Sequence, residues 1–70
     1  MAAWMITMEW SGPVEQLPRV VAKLAHLDPT PVAGTPVVVL HVTAATPQDA
    51  ADYVRKVLHR EELSRWARVL

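Results

Sequence analysis

The chain changes period twice, and those changes mark out its elements. Over residues 3–10, Trp4, Ile6, Met8 and Trp10 form one apolar set, and Met5, Thr7 and Glu9 fall between them. A period of two puts such sets on opposite faces of a strand, with the heavier set against a core. Ser11-Gly12-Pro13 stops that strand. The apolar positions then move to Val14, Leu17, Val21 and Leu24, with Val20 and Leu27 beside them, which predicts an amphipathic helix over about 13–27. Pro13 suits the first helical position, and Glu15 suits the positive first turn. Pro18 does not suit a helix interior, because it removes a hydrogen bond and crowds the preceding turn. The turn at 13–17 is therefore expected to be irregular, with regular helix starting near Pro18.

Asp28-Pro29-Thr30-Pro31 reads as a stop followed by extended backbone, since proline disfavours helical geometry in the residue before it. Residues 31–36 are expected to give a short edge strand and a turn, with Gly34 free to take a positive φ. Val37 to Ala44 is a β-branched run and the strongest strand in the chain. Thr46 then caps a second helix, with Pro47 at its first position and Asp49 at its third. Ala50, Val54, Val57 and Leu58 form the apolar stripe of this helix, flanked by Tyr53, until the phase is lost at Glu61 and Glu62. Leu63 and Trp66 resume it, and residues 65–70 fit a short strand somewhat better than a helical turn.

This order, β-α-β-β-α with a short C-terminal strand, predicts one α+β domain over residues 1–70. The expected architecture is a small ferredoxin-like open-faced sandwich, in which two helices cover one side of the sheet. A crossover through the first helix would leave the first and third strands as central neighbours.

Composition narrows the function. Seventy residues, 51% of them hydrophobic and none of them cysteine, leave the domain without a disulfide or thiolate metal site, so its stability must come from a core or from association. Seven basic residues balance seven acidic ones, which argues against a nucleic-acid partner, because phosphate binding is normally driven by a basic excess. Five of the basic residues, Arg55, Lys56, Arg60, Arg65 and Arg68, lie near the C-terminus, but Asp49, Asp52, Glu61 and Glu62 dilute them into a solvated mixed-charge surface. No apolar run is long enough to span a bilayer and no leader pattern precedes the first strand, so the expected location is cytoplasmic with no membrane partner.

Candidate chemistry is sparse. The glycine patterns of phosphate-binding loops and of the nucleophile elbow are absent, and the chain has only two serines, Ser11 and Ser64. His26 and His59 sit near helix ends, where an imidazolium complements the dipole. His41 stands inside the strongest strand and points away from the helices with Val37, Val39 and Thr43, toward the face that also carries Met5, Thr7 and Glu9. A His41–Glu9 pair on that face would be either a proton-transfer dyad or an ordinary cross-strand contact, and the lack of a third group favours the latter. The histidines lack metal-ligand spacing, and no cofactor is expected. Trp4 and Trp10 share the core face of the first strand, so they read as packing residues ahead of base-stacking ones.

Ile6 to Pro13, followed by Leu17, Val20, Val21 and Leu24, loosely resembles the first strand, loop and helix of ACT regulatory domains. The likeness covers about twenty residues and is one of fold. It implies pairing between two copies and an amino-acid-type ligand bound near the first loop. Glu9, Ser11, Gly12 and His41 are then the candidate ligand-binding residues. The leading expectation from the sequence is nevertheless a non-enzymatic interaction or assembly module, self-associating as a homodimer or meeting a protein partner. Its interface would be the uncovered sheet face, at Met5, Thr7, Val37, Val39 and His41. A small-ligand regulatory domain is the alternative, and an enzyme using His41 as acid or base stands behind both.

Overall fold

Alternation and β-branching carry the two long strands, β1 (Ala2–Trp10) and β3 (Val37–Ala44), and these pair antiparallel at the centre of the sheet in a computed structural model of residues 1–70. Their register runs unbroken from Ala2 opposite Ala44 to Glu9 opposite Val37. β2 (Thr30–Pro31) flanks β3 and β4 (Ala67–Val69) flanks β1, giving an all-antiparallel sheet of order β2-β3-β1-β4. Helices α1 (Leu17–Lys23) and α2 (Pro47–Arg60) each connect strands that are separated by one central strand. The result is a small α+β domain with a four-stranded antiparallel sheet and two helices.

The first helical segment is broken where proline chemistry requires it. Val14–Gln16 is a single 3₁₀ turn, Pro18 lies in the first turn of α1, and a second 3₁₀ turn at Ala25–Leu27 ends the segment. The chain then reverses at Asp28, which takes a left-handed conformation at φ 49°. Aspartate tolerates that region better than most residues, and Pro29 keeps it out of the right-handed helical one. The edge strand expected within residues 31–36 sits earlier, at Thr30–Pro31, and residues 33–36 are turn and bend. Gly34, at φ 77°, supplies the positive φ of that turn, and the Thr35 hydroxyl donates to the Val32 carbonyl at 2.9 Å.

Helix α2 starts as its sequence predicts: the Asp49 amide donates to the Thr46 Oγ1 at 3.1 Å. Its end explains the loss of phase at Glu61 and Glu62. The Leu63 amide donates to the Leu58 carbonyl at 2.8 Å, and the Glu62 amide to His59 at 3.1 Å, with Glu62 left-handed at φ 61°. These are the two bonds of a Schellman stop, here with glutamate where glycine is usual. Leu58 and Leu63, the apolar pair of that motif, are both buried. The chain can then turn into β4, a shorter strand than the 65–70 segment expected from sequence.

All sixteen buried residues are apolar, and they form one cluster between the sheet and the helices. Ile6, Met8 and Trp10 of β1 face Val38, Leu40, Val42 and Ala44 of β3 on that side, covered by Val20, Leu24, Val54, Val57 and Leu58. The polar tips of the two β1 tryptophans are satisfied: Trp4 Nε1 donates to the Ala44 carbonyl at 3.1 Å and Trp10 Nε1 to the Pro13 carbonyl at 3.0 Å. Aromatic mass is thus buried without an orphaned donor.

Candidate functional site

Because both helices lie on one side, the other face of the sheet is uncovered, and strand register orders its side chains into rows. Ala3 is opposite Thr43, and Met5 is opposite His41. Thr30, Val39 and Thr7 form the next row, and Leu70 extends it, since the Leu70 amide donates to the Thr7 carbonyl at 2.9 Å. Val37, Glu9 and Arg68 make the last. The face is largely apolar and hydroxylated, with one ion pair at its end. Met5 is 74% exposed and Leu70 60%, while Thr7, Val37, Val39 and His41 are half-buried by their neighbours.

Each charged or titratable group on this face has a local partner. Arg68 reaches Glu9 Oε1 with Nη2 at 3.0 Å and Nε at 3.2 Å, directly across the β1–β4 pair. Both nitrogens bind the same oxygen, so the contact lacks the two-pronged fork of the strongest arginine–carboxylate pairs. His41 Nδ1 lies 2.8 Å from the Asp28 carbonyl and 3.8 Å from Asp28 Oδ2. A carbonyl can only accept, so Nδ1 is the donor in this contact.

The register therefore does not bring His41 and Glu9 together. His41 faces Met5, Thr7 is its diagonal neighbour, and Glu9 lies a further step along β1 in the grip of Arg68. The remaining candidates, Ser11 and Gly12, lie in the loop after β1 and not on the open face. Ser11 donates to the Trp66 carbonyl through both its amide and its hydroxyl, each at 2.7 Å, and so ties this loop to the start of β4. Gly12 rests on the Trp10 indole: a Cβ there would lie 2.4 Å from Cζ2. Glycine is needed for that approach, and the ring fills the inside of the loop.

Sequence reasoning missed Thr30, Arg68 and Leu70 as members of the open face. The alternation of Ala67 and Val69 with Arg68 and Leu70 carries the signal for two of them, but only once residues 67–70 are known to pair with β1. No group of three or more His, Asp or Glu side chains gathers in the fold, and no helix is long and apolar enough to cross a membrane. The surface hollows are shallow. The most apolar, about 470 Å³, is lined by Val14, Leu17, Pro18 and Val21 of the first helical segment and by Pro31 of β2. No family model, curated protein or solved structure matches the chain.

Proposed function

We propose that this chain is a small non-enzymatic assembly module that associates with further copies of itself through the open sheet face. One observation carries the reading: the uncovered face has an apolar and hydroxylated centre at Met5, Thr7, Val37, Val39 and Leu70, where a solvated sheet would alternate to charge. Its charged groups are spent on neighbours, Glu9 on Arg68 and His41 on the Asp28 carbonyl, and neither is aimed at an enclosed hollow. The Trp10 ring inside the 11–13 loop favours assembly over the amino-acid-type ligand site that the ACT resemblance implies. A two-fold partner is the commonest symmetric outcome, and a ferredoxin-like open sandwich is the finer architecture we assign, supported by β1 and β3 at the centre with a helical crossover over each.

Val39 is central in the longest row of the face, between Thr30 and Thr7. Sedimentation of the wild type at high micromolar concentration should therefore give an associated species, and Val39→Asp should lower its mass. A monomeric wild type, or an unchanged mass in the variant, would overturn the reading.

A further inference from the structure

The two lateral edges of the sheet are built differently. On the β2 side the edge strand is two residues long, with Pro29 and Pro31 on either side of Thr30, and it covers only Val38 and Val39 of β3, beyond which Asp28 lies over the edge with its carbonyl on the His41 ring. Short, proline-bearing edges are a standard way of refusing another strand. On the other side, β4 covers only Met8 to Trp10 of β1, and its last contact is the Leu70 amide on the Thr7 carbonyl. The stretch of β1 before Thr7 thus has a neighbour in β3 and none on its outer side.

The parity of the ladder says which groups face outward. The Trp10 amide points to the β3 side, where it donates to Pro36, while Ser11 and Thr7 bond to the β4 side. Alternation then sends the amides and carbonyls of Ala3 and Met5 to the open edge. Residues 2–7 contain no charge, proline or bulge to blunt it, and Ala2 and Ala3 leave room for close approach. A hollow of about 360 Å³ lies alongside, lined by Met5, Thr7, Gln48, Ala51 and Leu70 among others.

We infer that this edge pairs antiparallel with the same edge of a second copy, with the two-fold axis passing beside Trp4. The segment is complementary to itself in that register: the Ala3 amide donates to the carbonyl of Met5 in the second copy, the Met5 amide donates to Ala3, and the reverse pair follows by symmetry. Ile6 then faces the second copy's Ala2, so the incoming strand stops where β4 begins at Thr7. Sliding the axis to Met5 would set Ala3 against Thr7, whose carbonyl Leu70 already holds. The occupant is therefore another β1, and the register is set by the end of β4. The two sheets become one continuous sheet, because a two-fold normal to the sheet keeps both open faces on the same side. This contact is independent of the face contact proposed above. If both form and their two-fold axes intersect at right angles, the assembly is a closed tetramer with dihedral symmetry.

The inference is tested by removing one outward donor. Ala3→Pro deletes an amide that points away from β3, so the central ladder keeps its bonds. Ala3→Pro should halve the sedimenting mass of the wild type, Val39→Asp should also halve it, and the double variant should be monomeric. Amide exchange of the wild type supplies a readout independent of how any variant folds. The Ala3 and Met5 amides should be slowed on the order of tenfold or more between dilute and concentrated samples. If these two amides exchange equally fast at both concentrations, the edge contact is overturned. The face contact still stands in that case if Val39→Asp dissociates the wild-type species.

Discussion

The two faces of the central strands are made from similar residues and behave as different materials. On the helix side, Leu40, Val38 and Met8 have no exposed surface, and every buried neighbour is apolar. On the other side, Val37, Val39 and Met5 come from the same β-branched and aliphatic repertoire, yet they meet a hydroxyl, an imidazole or an ion pair in each row. Hydrophobicity alone therefore does not separate core from surface in this chain. What separates them is which side the helices close, and the closed side is selected by the heavier residues of β1, including Trp4 and Trp10.

The sharpest test of that contrast uses adjacent residues. Leu40→Ala should cost about 2–5 kcal/mol in thermal or denaturant unfolding, because it empties a site with no surface through which to relax. Val39→Ala, measured on dilute protein, should cost under about 1 kcal/mol. Equal losses would mean that the open face is as tightly packed as the core.

A smaller effect is expected at the end of the core face. Gly12→Ala puts a methyl against the Trp10 ring, with built distances of 2.4 Å and 2.8 Å to two of its carbons. Overpacking of this kind should lower stability by about 1–3 kcal/mol, and the change in Trp10 environment should alter the near-ultraviolet circular dichroism. Intact stability with an unchanged aromatic signal would show that the loop, and not the ring, sets the position of Gly12.

The weakest expected effect lies on the open face itself. Arg68 is 74% exposed in its ion pair with Glu9, so Arg68→Ala should change stability by no more than about 1 kcal/mol, and less at high salt. A larger loss in a unfolding titration would identify the β1–β4 pair as a contributor to the fold comparable with a core residue.

Much of the fold was legible because its strongest elements satisfy local and tertiary demands together. β3 and the start of α2 fall where β-branching and the Thr46-Pro47 cap place them, and Ile6, Leu24, Leu40, Val42 and Val54 are buried together as their periodicity requires. Regular α1 begins at Leu17, where Pro18 permits. The position of β2 was less legible, since Thr30 to Pro36 offers several extended residues and the pairing with Val38 and Val39 is decided by tertiary contact. Register limited the reading of the candidate site. Alternation assigned Glu9 and His41 to one face correctly, but a slide of the strands by two residues preserves every face while changing every partner. Only the pairing itself gives His41 to Met5 and Glu9 to Arg68.

The pairing of β1 with β3 also has a kinetic meaning. It joins the first residues of the chain to the middle, from Ala2 with Ala44 to Glu9 with Val37, with all of α1 and β2 in the loop between. Ordering such a loop costs chain entropy before the ladder returns anything, whereas the capped turns of α2 form from neighbours in sequence. The meeting of these two distant strands is accordingly the event expected to limit the folding rate, while the turns of α2 form from local contacts and are held in place once the strands have met.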